Sequence, residues 1–413
     1  MTVNAYVTTP ALLRSLHEGP LGIHIDLYAA QLLKEGHCRQ SAWRCLRVVS
    51  DFSHWLERKR IDLGEIDEQI VKRYRGFRLR NRCSFVSDQP ALNRLLTVLR
   101  GAGAIRPERP IVLSPGDLIF EEFRDHLSRE RGLTCATIGR HELVVRCFVR
   151  ERCEDKAKRF RELTSADILG FIKHHAADGS PRSAQLMCST IRQFLRYLHY
   201  RGYIRTDLAT SVPAVRSWKL ASLPAYLLPS QVRKVLDACE RRSGIGRRDY
   251  AILLMLARLG LRANEVATLT LEDVDWQAGQ LSVQAKGRQR AQLPLPHEVG
   301  SAVADYLRNG RPRSDSRRLF LRHLAPHVGF ASSCAVSMIA TTAVKRAGIQ
   351  GVAHKGSHLF RHSLATSLLR AGASLREIGQ VLRHQDHDTT RVYAKVDIDS
   401  LRKLSLPWPG GAR

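Results

Sequence analysis

Residues 357–396 read SHLFRHSLATSLLRAGASLREIGQVLRHQDHDTTRVYAKV, and this stretch decides the fold. Leu359, Leu364 and Leu368 recur at helical spacing, so 358–371 is predicted to be a helix. A second helix is expected over 375–383 and a short one near 389–395. His358 and Arg361, at i and i+3, share one helix face, and such a pair at a helix start suits an anion. Tyr393 follows His384 by nine residues. A tyrosine is a poor nucleophile at its ordinary pKa of about 10. Two neighbouring guanidiniums, a phosphate to attack and a base for its proton would change that. Just upstream, HKGSHLFRH sets His354, His358 and His362 four apart. Zinc needs a third or fourth fixed ligand, none stands at a convincing spacing, and no metal is expected.

Upstream of that stretch, Asp249–Leu259 reads as an apolar helix stopping at Gly260, and another begins near Glu265. Arg262, in LGLRANE, falls at the turn between them, where its planar fork suits two phosphate oxygens and Glu265 is placed to brace it. QLSVQA, the basic turn KGRQR and QLPLP predict a β-hairpin across 280–296, with Lys286 at its tip beside Gly287. Arg288 and Arg290 in that turn are candidate anion contacts. A helix is expected at about 333–347. The C-terminal part is therefore α+β and mainly helical.

The chain has 413 residues and a formal charge of +27, with 44% hydrophobic residues. It is long enough for two or three domains and apolar enough to bury real cores. The charge excess favours a polyanion, nucleic acid being the commonest. Nine scattered cysteines without a CxxC pair argue against a disulfide scaffold or zinc ribbon and fit a reducing cytosol. No apolar run reaches the roughly 18 residues of a membrane span, and no signal-peptide pattern opens the chain. GxxxxGK[ST], HExxH, GxSxG and GxGxxG are all absent, which excludes four common enzyme classes.

Pro213, Pro224 and Pro229 among serines mark a linker, and Gly and Pro over 101–117 mark a weaker break. The expected domains are a helical N-terminal extension (1–110), a second helical domain (111–212), a linker (213–225) and an α+β domain with its tail (226–413). In AQLMCSTIRQFLRYLHYRGY (184–203), Leu186, Ile191, Phe194, Leu195 and Leu198 form the expected apolar face. Arg192 and Arg196 lie elsewhere as candidate phosphate contacts. At an offset of 96, Gly36, Ser41, Val48, Val49 and Phe52 match Gly132, Thr137, Val144, Val145 and Phe148. A shared three- or four-helix plan is expected.

In order, Arg262, Lys286, His358-Leu-Phe-Arg361, His384 and Tyr393 resemble the tyrosine recombinase (phage integrase) family of site-specific DNA recombinases. The resemblance is strong over 226–400 and less specific over 112–212. It departs at Leu382-Arg383-His384, where members commonly carry Leu-Gly-His; Arg383 is read as an added phosphate contact.

The resemblance implies a mainly α fold, with a helical core DNA-binding domain over 111–212 and an α+β catalytic domain with its tail over 226–413. Tyr393 would attack a DNA phosphodiester and retain the 3′-phosphate. Arg262 and Arg361 would hold its non-bridging oxygens, Lys286 protonate the leaving 5′-oxygen, His358 act as base and His384 donate to the phosphate. No cofactor, ATP or metal is expected. The implied partner is double-stranded DNA with inverted-repeat core sites, gripped by a homotetramer on two duplexes, with or without other recombinases. A cytoplasmic, nucleoid-associated, bacterial setting is expected, with no membrane. In the tail, Ile398, Leu401 and Leu404 suggest a short helix that docks on a neighbouring protomer. A mobile-element recombinase, a chromosome or plasmid resolvase, a type IB topoisomerase and a non-catalytic DNA-binding protein all remain open.

Overall fold

The computed structural model describes residues 2–81, 88–107, 115–152, 157–177, 179–215, 225–284, 290–352, 356–384, 390 and 392–393. They group into two compact units, one of Met1–Glu108 with Ser222–Arg413 and one of Arg109–Ala221.

In the N-terminal part, helices α1 (Pro10–His17), α2 (Ile25–Lys34), α3 (Arg39–Lys59), α4 (Glu68–Arg80) and α5 (Asp88–Gly101) surround one apolar core. Helix α3 spans five turns, with Ala42, Leu46, Val49, Phe52 and Leu56 buried at three- and four-residue intervals. It stops at Arg60, whose φ of 54° no helix continues. This part touches the rest of its unit where His327 N–H donates to Glu35 O at 3.2 Å. The adjacent Gly36 has φ 81°, and a Cβ there would meet the His327 ring.

The middle unit holds α6 (Pro115–Asp125), α7 (Cys135–Arg152), α8 (Ser165–Ala176) and α9 (Pro181–Tyr200). Its core is aromatic, with Phe123, Phe148, Phe171 and Phe194 meeting edge to face or tilted. Ile191, Phe194, Leu195 and Leu198 line the buried face of α9 as expected, but Leu186 does not; it is 41% exposed. Five residues at about 100° each carry Leu186 some 140° away from Ile191, and Met187 and Cys188 take the inward place.

The two helical sets share a plan. Helices α3 and α7 start 96 residues apart, at Arg39 and Cys135, and α4 and α8 start 97 apart, at Glu68 and Ser165. Phe52 and Phe148 are both fully buried. At the ends of α5 and α9 the same bonds recur 99 residues apart. Gly103 N–H donates to Arg100 O and Ala104 N–H to Leu99 O, as Gly202 N–H does to His199 O and Tyr203 N–H to Leu198 O. Gly103 and Gly202 both have positive φ, 67° and 75°.

In the C-terminal part, α10 (Pro229–Asp237), α11 (Gly244–Arg258) and α12 (Ala263–Thr268) lead into an antiparallel sheet of β1 (Val274–Asp275), β2 (Gln280–Gln284) and β3 (Arg290–Pro294). The hairpin pairs Leu281 with Leu293 and Val283 with Ala291; the short β1 is an addition to the expected hairpin. Helices α13 (His297–Asn309), α14 (Cys334–Arg346), α15 (Ser357–Arg370) and α16 (Leu375–Val381) follow. Central α11 buries every residue from Ala251 to Leu256, so its environment is apolar all round. The hairpin tip, with Lys286 and Arg288, and the tail after Tyr393 lie outside the described residues. Among the described residues no helix is long and apolar enough to cross a membrane.

Candidate active site

Two helix boundaries build the site. Helix α11 ends at Gly260, whose φ is 56°; a Cβ there would sit 2.8 Å from Leu382 Cδ2 and 3.0 Å from Leu364 Cδ2. The chain then turns into α12, where Glu265 accepts from Arg262 N–H at 2.9 Å and from Arg262 Nη1 at 2.7 Å. One carboxylate thus caps the helix and braces the guanidinium, as the three-residue spacing predicts. A second N–H of Arg262 reaches Arg383 O at 3.3 Å.

The end of α16 is the other boundary. Arg383 N–H donates to Gln380 O and His384 N–H to Gly379 O, a Schellman pattern that places Arg383 at φ 55°. Glycine is favoured there, and an arginine carries a cost of about 1–2 kcal/mol. Its side chain is buried, with Nη2 3.1 Å from Glu265 Oε2. Arg383 therefore braces Glu265 rather than reaching outward as an added phosphate contact.

Arg361, on the first turn of α15, is 3% exposed and spans both boundaries, donating to Gly260 O and Leu382 O. Each nitrogen of its fork keeps another N–H. Burial first, then Arg262 and Arg383, lowers its pKa to about 10. Among the described residues, Arg262 and Arg383 both pair with the single Glu265 carboxylate, and Arg361 adds a third guanidinium that pairs only with backbone carbonyls. The nearby histidines are neutral at pH 7: burial lowers His358, and brings His362 and His384 to about 4, with neighbouring charges adding to it. Such an unbalanced buried positive charge calls for an anion.

Tyr393 is 1% exposed. Burial pushes its pKa up to about 12, while Arg361 and Arg262 act to lower it. Its phenol oxygen lies 2.9 Å from Nδ1 of His362, and in the tautomer that carries its proton on Nε2 the neutral ring accepts there. The sequence reading gave the base role to His358 and weighed His362 only as a metal ligand. The available signal was its place next to Arg361, one turn beyond His358. His384 stacks near-parallel to Tyr393 with ring centroids 6.4 Å apart, and its Nδ1 is fixed by buried Thr390 at 2.7 Å. Arg262, Arg361, His358, His384 and Tyr393 are thus brought together, with Glu265 beneath them.

Arg192 donates to Val212 O and Pro213 O, so it ties down the end of the middle unit, while Arg196 and Arg290 are exposed. Among the described residues one group of possible metal ligands gathers, Cys147, Glu151 and His175, and it belongs to the middle unit. His175 already pairs with Glu151 at 2.8 Å.

Residues 225–399 match the phage integrase family, and residues 120–202 match the phage integrase N-terminal SAM-like domain. The chain belongs to the phage integrase family and is a tyrosine-type site-specific recombinase. A similar relative is the putative integrase/recombinase y4rA of Sinorhizobium fredii, 41% identical over 96% of each chain, a match that takes in most of the N-terminal part. Tyrosine recombinase XerC of Oceanobacillus iheyensis is 26% identical over 70% of this chain and 95% of its own. The fold resembles that of the XerH site-specific recombinase bound to palindromic difH substrate in a post-cleavage complex. That likeness has a TM-score of 0.54 and 16% identity over 69% of this chain and 83% of that one.

Proposed function

We propose that this chain cleaves and rejoins DNA strands through a 3′-phosphotyrosyl intermediate, in the integration, excision or transposition of a mobile element. The observation that carries this reading is the convergence of Arg262, Arg361 and Tyr393 on one buried, positively charged site. A scissile phosphate entering it neutralises charge that the fold leaves uncompensated. The free N–H groups of Arg262 and Arg361 take its non-bridging oxygens, which gain charge in the transition state. Tyr393 attacks in line as its phenol proton passes to His362, 2.9 Å away, and the bond from phosphorus to the 5′-oxygen breaks; the covalent link conserves the bond energy for rejoining, so ATP is not consumed. His384 donates to the phosphate from its remaining nitrogen, and Lys286 protonates the departing 5′-oxygen. The middle and C-terminal domains grip double-stranded DNA at inverted-repeat core sites, and four copies act on two duplexes. The charge of +27 supports a polyanionic substrate.

The test uses duplexes taken from the DNA flanking the gene, where inverted repeats mark candidate sites, each nicked to trap the intermediate. Purified chain is expected to give a phenol-extractable covalent adduct on the 3′ side of the break. Tyr393→Phe should bind the same duplex and give none. An adduct from Tyr393→Phe overturns the assignment of the nucleophile. Joining of arms from two different duplexes separates recombination from relaxation by a monomer.

A further inference from the structure

The N-terminal part holds a groove that the catalytic reading does not use. Trp55 and Lys59 of α3 form one wall, and Lys72, Arg73, Phe77 and Arg80 of α4 line the other. Lys59, Lys72, Arg73 and Arg80 are exposed, and none has an ion pair recorded among the described residues. The groove's carboxylate, Glu68, is already engaged by Arg100. Arg78, on the same helix, turns away to Asp51 and Asp88. The cations that face the groove are therefore left without an acidic partner among the described residues.

One further feature bears on a ligand. Gly76 sits among the groove cations in the middle of α4, where glycine weakens a helix. Its backbone has no positive φ, and a Cβ there would meet nothing within 4 Å. Nothing in the described chain requires glycine at this place; a ligand backbone lying against the helix would use the space.

We infer that this groove binds the phosphate backbone of duplex DNA, so that the N-terminal part is a second DNA-gripping domain beside the middle one. The inference rests on the DNA reading above and extends it to residues that reading leaves without a task. The shared helix plan supports it, since α4 occupies the place that α8 holds in the middle unit. Lys72, Arg73 and Arg80, all exposed along one wall of the groove, neutralise phosphates. Contacts of this kind carry no base information and add affinity on any sequence.

The test measures binding of the full chain to a fluorescent DNA duplex of arbitrary sequence, several helical turns long, over a range of salt concentrations. Each phosphate contact contributes about 0.9 to the slope of log affinity against log salt. The triple variant Lys72→Gln, Arg73→Gln, Arg80→Gln is expected to lose about two to three from that slope. A control triple, Arg14→Gln, Lys34→Gln, Arg44→Gln, removes the same charge from exposed sites outside the groove and should keep the parent's slope. Thermal unfolding should coincide for all three proteins. If the groove variant keeps the parent's slope, or the control falls equally, the groove is not a DNA site and the catalytic reading stands. If the parent itself fails to bind duplex DNA, both fall together.

Discussion

The phenol oxygen of Tyr393 lies 2.9 Å from Nδ1 of His362, a residue one helical turn beyond His358 on α15. The acceptor is an imidazole whose pKa burial holds near 4, so it is neutral at pH 7 and fixes the phenol without taking its proton outright. His362→Ala is expected to bind DNA as the parent does and to form the covalent adduct more slowly, by about 10²-fold if proton transfer is at stake. Single-turnover cleavage rates check this; an unchanged rate would leave His362 with a packing role alone.

Acid should destabilise the fold. An exposed histidine titrates near 6.5, whereas His362 and His384 titrate near 4 in the folded chain. Between those values the unfolded chain binds more protons, so the stabilisation is complete above pH 6.5 and disappears as pH falls toward 4. Each shift is worth up to about 3 kcal/mol. Melting temperatures across this range should fall steeply for the parent and less for His362→Gln and His384→Gln.

Arg383 carries two opposing effects, a left-handed backbone and an ion pair with buried Glu265. Arg383→Ala loses the pair and keeps the strain; Arg383→Gly loses the pair and relieves it. The glycine variant should therefore be more stable than the alanine variant by about 1 kcal/mol. Chemical denaturation of the two proteins measures the difference.

Gly260→Ala puts a Cβ within 2.8 Å of Leu382 Cδ2 at a positive φ. The combined strain and crowding should cost about 2–4 kcal/mol. Because Gly260 O holds Arg361, cleavage should fall by more than the loss of folded protein explains. Adduct yield normalised to folded protein tests this.

Lys286, the proposed general acid, should slow cleavage by about 10²- to 10⁴-fold when changed to Ala. A substrate with sulfur in place of the bridging 5′-oxygen leaves as a stable thiolate and should restore the rate. Arg361→Ala should not be rescued, since it serves the non-bridging oxygens. Failure of sulfur to rescue Lys286→Ala assigns the proton to another residue.

Local signals were legible without coordinates. Helices α11, α12, α14, α15 and α16, the hairpin strands over 280–296 and the Arg262–Glu265 brace all depend on residues a few positions apart, where periodicity and capping act; α10 and α13 were not read from the sequence. The offset of 96 between the helical sets was likewise readable, because buried residues at matching places repeat in both. Leu186 was misplaced because a list of apolar residues does not specify which side of a helix meets the core; the angle between positions does.

By itself, then, the amino-acid sequence determined the order of elements, the family and the set of side chains available for phosphate chemistry. Beyond the local Arg262–Glu265 brace, the partner of each was decided only by tertiary structure. His362 meets Tyr393 across 31 residues, Arg361 meets Gly260 across 101, and Arg383 meets Glu265 across 118. Contacts of that span follow from how α11, α15 and α16 pack at two left-handed helix ends. No periodicity records them, because the free energy that selects them belongs to burial of the whole core rather than to any local run of residues.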